Sequence, residues 1–250
     1  MKKRIGAVVI VLVCCVAGGW PARVARASAC GYFYADSGDN TIILGEKTGY
    51  FYYQGQLYYY GLGDLAICWT DADEVTQFEL FSDCDRSSSS SDFVYVSALA
   101  GNDKVGPNTT GHICKVGYLS TYMLPFDDAG FDFYLYADMG TGSDWAYGTA
   151  NGDVLMSNSI GVYPDSFPAD SAEDHLCGYD GDDDLYGDHD DTNTYEELLS
   201  GGNGTDYCNG GYDGDVYDWI DSGTCETHLY GYHINNRLGC GTSAPSIWWF

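Results

Sequence analysis

Glycines and aspartates recur at a fixed spacing in the C-terminal half of the chain, and these residue types suit the binding of a hard cation. Residues 201–209 follow the pattern G-G-x-G-x-D-x-U-x, where U is apolar, and residues 210–218 repeat it with one replacement. Ca²⁺ prefers carboxylate and carbonyl oxygens as ligands, and glycines permit the tight turns that bring such oxygens together. The spacing therefore predicts Ca²⁺ bound at glycine–aspartate turns.

Further copies lie upstream of this tandem pair. Residues 178–186 replace only the second glycine, and residues 142–155 hold two weaker copies whose aspartates keep the nine-residue phase. The predicted Ca²⁺-binding positions are Gly178, Gly181, Asp183, Gly202, Gly204, Asp206, Gly211, Asp215, Asp144 and Asp153.

The eighth position of each repeat is expected to place one side chain inside the fold. The predicted core positions are Val105, Leu155, Leu185, Cys208 and Tyr217. Two repeats make one turn of 18 residues, whereas Asp183 and Asp206 lie 23 residues apart because of an insertion at 196–200. If these two turns stack, a loop must bulge out between them.

The glycine–aspartate stretch resembles the RTX family, the hemolysin-type calcium-binding repeat proteins. The resemblance is clear over residues 178–218 and faint back to Gly38, including eroded copies at 37–43, 61–67 and 100–105. It implies an all-β fold, a parallel β-roll or β-solenoid with Ca²⁺ between successive turns and turn carbonyls among the ligands. RTX proteins typically use an uncleaved C-terminal export signal, from which this chain departs.

The predicted organisation has four parts: a signal peptide at 1–29, a degenerate β-solenoid at 30–170, RTX-like repeats at 171–224 and a C-terminal cap at 225–250. A less regular β domain is the alternative for 30–170. The signal is indicated by Lys2, Lys3 and Arg4 before an apolar run, and by small residues ending at Ala29. This predicts a secreted protein that is exported by the general secretory route and has no membrane span. Lipidation of Cys30 or attachment to the cell surface is the minor alternative.

Eight cysteines follow the predicted signal, and an even number in an exported chain indicates disulfides. Their spacing leaves the connectivity open. Cys68 with Cys84 and Cys208 with Cys225 lie 16 and 17 residues apart, close to one 18-residue turn, so these neighbours are candidates to staple adjacent turns.

Charge limits the classes of partner. The chain after Ala29 carries all 37 acidic residues and five basic ones, a formal net charge of −32. Such a charge excludes nucleic acid and anionic membranes as expected partners, and it opposes compaction unless cations bind. Calcium ions are the predicted cofactor and partner.

Aromatic residues argue against disorder, since Phe, Trp and Tyr make up 16% of the chain and fall in short strand-like runs. They also open a second hypothesis, an adhesin or matrix protein whose tyrosine-rich faces bind a cell surface or a carbohydrate. A polysaccharide-active β-helix enzyme is the third. No G-x-S-x-G, H-E-x-x-H, P-loop or dinucleotide motif occurs, so no catalytic residue is predicted and the chain is not expected to be an enzyme.

Overall fold

Short apolar and aromatic runs between glycine–aspartate turns favour strands over helices, and the computed structural model is all-β. It describes residues 29–53, 56–59, 64–71, 75–85, 92–109, 111–117, 119–124, 126, 131, 133–158, 172–187, 198–210, 219–221, 225, 227–229, 232–234 and 240. In these ranges there are strands and no helix, and hence no helix that could cross a membrane. The predicted signal segment, apart from Ala29, lies outside them.

Nineteen strands lie in the described ranges. In chain order they are β1 (Ala29–Tyr34), β2 (Thr41–Tyr53), β3 (Gln56–Tyr59), β4 (Asp64–Thr70), β5 (Thr76–Asp85), β6 (Phe93–Ser97), β7 (Lys104–Pro107), β8 (His112–Val116), β9 (Leu119–Leu124), β10 (Tyr134–Asp138), β11 (Trp145–Tyr147), β12 (Val154–Met156), β13 (His175–Asp180), β14 (Asp184–Tyr186), β15 (Leu198–Asn203), β16 (Tyr207–Asn209), β17 (Trp219–Asp221), β18 (Thr227–Leu229) and β19 (Tyr232–Ile234).

The strands form two sheets. One has seven strands in the order β1-β6-β10-β12-β14-β16-β18, all parallel. The other has twelve, and its run β2-β7-β11-β13-β15-β17-β19 is also parallel. Along the chain, each strand of the first sheet is followed by a strand of this second run, either directly or after an insertion. One such consecutive pair is called a layer, and each layer pairs with the layers before and after it.

The main core lies between the two sheets and draws buried apolar side chains from both. Of the predicted core positions, Val105, Leu155, Leu185 and Cys208 are fully buried there, which confirms the expectation for the eighth residue of each repeat. Tyr217 lies outside the described residues.

An antiparallel extension interrupts the regular alternation between β2 and β9. β2 pairs antiparallel with β3, β4 and β9, β4 pairs with β5, and β8 pairs with β9. Residues 64–67, the described part of the eroded copy at 61–67, lie in β4 and thus belong to this extension. The prediction of a parallel repeat there was wrong, because a lone glycine–aspartate pair also suits an antiparallel strand start.

Four disulfides join all eight cysteines that follow the predicted signal: Cys30–Cys84, Cys68–Cys114, Cys177–Cys240 and Cys208–Cys225. Of the two neighbouring pairs that the spacing suggested, Cys208–Cys225 forms, between β16 and the segment before β18. Cys68–Cys84 does not form, because Cys68 of β4 pairs with β8 and Cys84 of β5 pairs with β1. The disulfides fit an extracellular or oxidising location.

The turn before β11 shows why glycine recurs in this sequence. Gly142 has φ 131°, and a Cβ at this residue would overlap the carbonyl oxygen of Gly101 in the preceding layer. The backbones of stacked turns are held this close by hydrogen bonds, since the Gly101 N–H donates to the Thr141 carbonyl at 2.8 Å. Glycine is therefore required by contact between layers as well as by φ.

Replacing Gly142 with alanine tests this contact. Gly142→Ala is expected to lower the free energy of unfolding by about 3 kcal/mol, because the strained φ and the overlap with the neighbouring backbone both contribute. Urea unfolding followed by circular dichroism measures the change.

Gly117→Ala is the matched control, since Gly117 also has a positive φ, 58°, and has nothing within 4 Å of an added Cβ. It should cost about 1 kcal/mol, the strain of a left-handed conformation alone. Equal costs for the two variants would show that contact between layers is not what selects glycine at residue 142.

Candidate functional site

Aspartates directly precede the parallel strands at both edges of the stack. At the first edge the chain passes from the seven-stranded sheet to the twelve-stranded sheet, and at the second edge it returns. The first-edge ladder is defined as Asn40, Asp103, Asp144 and Asp174, and the second-edge ladder as Asp153, Asp183 and Asp206. All seven side chains are buried.

The second-edge ladder brings together three of the predicted Ca²⁺-binding aspartates. The Asp153 N–H donates to Asp183 Oδ1 at 2.7 Å, and the Asp183 N–H donates to Asp206 Oδ1 at 2.9 Å. In the same way the Leu135 N–H donates to Asp153 Oδ1 at 2.7 Å. The turns of Asp183 and Asp206 thus stack despite their 23-residue separation. Residues 188–197 between them lie outside the described residues.

The first-edge ladder repeats this geometry. The Asn40 N–H donates to Asp103 Oδ1 at 2.6 Å, that of Asp103 to Asp144 Oδ1 at 2.7 Å, and that of Asp144 to Asp174 Oδ1 at 2.8 Å. Asp144 and Asp153, nine residues apart, therefore lie at opposite edges. Each carboxylate fixes the register of its layer against the preceding layer.

Sequence reasoning did not include Asp103 or Asp174 among the site residues. Asp174 lacks the glycine that stands two residues before Asp103, Asp144, Asp183 and Asp206, because Ala172 occupies that position. The signal that identifies it is its place immediately before a strand whose second residue, Leu176, is fully buried. Of the predicted positions, Gly211 and Asp215 lie outside the described residues.

Burial makes these carboxylates difficult to ionise. Burial raises the pKa of Asp183 to about 9, and the nearby charge of Asp153 is the next largest cause of this rise. Burial also raises the pKa of Asp103 to about 7, against the opposing hydrogen bond from the Asn40 N–H. Asp183 therefore holds a proton near neutral pH, and Asp103 holds one in part, unless another cation balances their charge.

Two of the aspartates keep a carboxylate oxygen for another ligand. Oδ2 of Asp103 and Oδ2 of Asp183 are buried and have no hydrogen-bond partner among the described residues. By contrast, Oδ2 of Asp153 accepts a short hydrogen bond from the Thr149 N–H. A buried oxygen without a donor costs free energy, so these two positions are where a cation would be most favourable.

The first glycine of the repeat provides space beside the unpaired oxygen of Asp183. A Cβ on Gly178 would overlap both Asp183 Oδ2 and the carbonyl oxygen of Gly201 in the next layer. One layer earlier, a Cβ on Gly148 would meet the Gly178 carbonyl oxygen and Asp153 Oδ2. Each of these glycines therefore lies where a carboxylate and a carbonyl oxygen from the adjoining layer converge.

Exposed polar side chains surround the outside of the second edge. Asn203 Nδ2 donates to Asp180 Oδ1 at 2.7 Å, and the Thr205 N–H donates to Asp182 Oδ1 at 3.0 Å. No group of three or more His, Cys, Asp or Glu arranged to hold a metal ion occurs within the described ranges. Backbone carbonyls would have to complete any metal site here.

The pKa values predict that the protein without bound metal loses stability as the pH rises. The folded protein keeps the Asp183 proton up to about pH 9, whereas an unfolded aspartate releases it near pH 4, so unfolding releases a proton between these limits. The free energy of unfolding should fall by up to about 1.4 kcal/mol per pH unit for each such carboxyl. Urea unfolding in excess chelator at several pH values measures this slope.

Asp183→Asn should flatten the slope between pH 7 and 9, because the amide does not titrate, whereas the exposed Asp182→Asn should leave it unchanged. A metal-free protein whose stability is constant or rises over this interval would contradict buried protonated carboxyls in the ladders.

Comparison with known proteins assigns the chain to no family: no protein-family model, no curated protein and no solved structure matches it.

Proposed function

We infer that the chain is a secreted Ca²⁺-binding repeat protein of the RTX type, in which the two parallel runs form a β-roll that extracellular Ca²⁺ stabilises. The unpaired Oδ2 of Asp183 beside the Gly201 carbonyl oxygen carries this proposal. The alternation of successive strands between two sheets, each parallel to the equivalent strand of the next layer, supports the β-roll.

The donor set fits Ca²⁺ because it is made only of oxygen atoms. Asp183 Oδ2 and the Gly201 carbonyl would hold one ion, with the next carboxylate of the second-edge ladder, Asp206, close by. Asp153 with the Gly178 carbonyl offers a related position one layer earlier. Ca²⁺ accepts six to eight oxygen ligands in flexible geometry, water included, so a site built largely from carbonyls suits it better than Zn²⁺ or another metal that prefers nitrogen and sulfur.

When bound, Ca²⁺ would supply the positive charge that the ladder carboxylates lack. In its absence, Asp183 keeps a proton, as its raised pKa indicates. In its presence the ladder carboxylates can ionise without mutual repulsion, so binding favours the folded state over the unfolded state. Extracellular sites of this kind bind with a Kd of roughly 10⁻⁴ to 10⁻³ M, and the proposed site would therefore fill after export.

The proposed export agrees with the chemistry of the chain. Four disulfides fit an oxidising location. The basic and apolar residues before Ala29 match a cleavable secretory signal. Oxidation and Ca²⁺ binding would then act on the same layers, since Cys208 lies two residues after Asp206.

Titration of the oxidised chain with Ca²⁺ tests the proposal. Addition of Ca²⁺ to about 10 mM should raise the free energy of unfolding by about 1.4 to 2.7 kcal/mol per site, from the ratio of ligand concentration to Kd. The same concentration of Mg²⁺ should have a smaller effect, because Mg²⁺ demands a rigid octahedral site. Far-UV circular dichroism during urea unfolding reports the change.

Asp183→Asn and Asp206→Asn should each reduce the gain from Ca²⁺, while Asp64→Asn, which removes an equal charge at the start of β4, should retain it. Equal stabilisation of all three variants would indicate screening of net charge and contradict a site at the turns. No response to Ca²⁺ in the unaltered protein would leave protons and disulfides as the sole stabilisers of the ladders, and the proposed function would then be wrong.

A further inference from the structure

The outer face of the seven-stranded sheet carries a continuous group of aromatic rings that the aspartate ladders do not involve. The tyrosine patch is defined as Tyr32, Tyr34, Phe93, Tyr95, Tyr134 and Tyr136. The pairing of β1, β6 and β10 places Tyr32, Tyr95 and Tyr136 in one row across the strands. Their neighbours Val94 and Leu135 point into the core, so the rings lie on the opposite face of the sheet.

The exposed tyrosine rings contact their neighbours at tilted angles, while Phe93 and Tyr134 are stacked with ring centroids 5.6 Å apart at 29°. Ring centroids of Tyr95 and Tyr136 lie 5.4 Å apart at an interplanar angle of 40°, and those of Tyr32 and Tyr95 lie 5.9 Å apart at 53°. Tyr34 and Tyr95 are 5.8 Å apart at 56°. Tilted rings present faces in several directions, which suits a compact cation above the rings better than the flat surface of a sugar ring.

The patch is accessible at its N-terminal side. Tyr32 is 43% exposed and Tyr34 is 60% exposed, whereas the other rings of the patch are partly buried. Tyrosines with this exposure leave ring faces available to a partner. Aromatic side chains of this kind are the commonest anchors of protein interfaces.

Charge on this face is negative. The described strands of the seven-stranded sheet contain no Lys or Arg, and Asp138 and Asp184 lie on it. The Tyr95 hydroxyl donates to Asp138 Oδ2 at 2.9 Å, which makes the phenol ring more electron-rich. Burial first, and the charges of Asp184 and Asp92 second, raise the pKa of Tyr134, so this hydroxyl stays protonated and adds no charge to the face.

The net charge of the chain favours some binding partners of the tyrosine patch over others. A second copy would bring its own formal net charge of −27 to the interface, and nucleic acid or an anionic lipid would be repelled in the same way. A cationic partner is attracted both by this charge and by the ring faces. We propose that the tyrosine patch is a docking surface for a lysine-rich segment of a partner protein, held by cation–π contacts and the neighbouring carboxylates.

Binding of a short synthetic peptide of alternating lysine and glycine tests this proposal. Isothermal titration calorimetry on the full oxidised chain, in roughly 0.15 M salt to screen long-range attraction, should give saturable binding. The double variant Tyr32→Leu with Tyr34→Leu keeps the net charge and should raise the Kd about tenfold, because two exposed cation–π contacts are lost. The same peptide with acetylated lysines should not bind.

Tyr122→Leu, an aromatic replacement in β9 of the other sheet, is the matched control and should leave the Kd unchanged. A Kd unaffected by the double variant would mean that the peptide responds only to net charge, which overturns the proposal. A neutral β-linked glucan oligomer that binds through Tyr32 and Tyr34 while the lysine peptide does not would overturn it in favour of a carbohydrate. Circular dichroism of each variant confirms that the layers remain folded.

Discussion

The parallel stack depends on carboxylates that accept a backbone N–H from the preceding layer. At both edges the hydrogen bond runs from the residue before one strand to the equivalent aspartate of the next layer, at 2.6–2.9 Å. Such a bond holds register without any side chain entering the core. Its cost is a row of buried acids that repel one another when ionised. Because these hydrogen bonds bury carboxylates, protons or cations are needed to balance their charge. The same bonds hold successive turns close together, so glycine is needed where the turns touch.

Backbone N–H groups of the turns donate hydrogen bonds to carbonyl oxygens of the next layer. Gly181 donates to the Asn203 carbonyl at 2.9 Å, and Gly148 donates to that of Cys177 at 2.7 Å. A cation would therefore act on charge and would not replace missing hydrogen bonds between layers. Tyr179 and Leu99, with φ values of 77° and 73°, occupy the second turn position that glycine fills at Gly140 and Gly202. The turn conformation thus persists where the sequence pattern does not, because the stacked neighbours impose it.

The nine-residue phase was sufficient to predict the burial of Leu155, Leu185 and Cys208. It left open whether the turns of Asp183 and Asp206 stack across the insertion, which the structure shows that they do. Local spacing carries this information because each layer contacts mainly its neighbours. The antiparallel extension and the Cys68–Cys114 bond were not predicted, since pairing of β2 with β4 and β9 depends on contacts that no short repeat encodes. Asp174 was missed because its turn has lost its glycine. The domain boundary placed at residue 170 stays a prediction.

The position of β5 has a consequence for growth of the stack. A parallel stack offers at each end a strand edge and an open core to which another copy can add, the geometry from which fibres grow. At the first layer β5 packs against the inner face of β1, where the Phe81 ring occupies the space beside Gly31, and Cys84 is bonded to Cys30. The apolar core is therefore closed at this end by a covalently fastened strand, which opposes head-to-tail polymerisation of the stack.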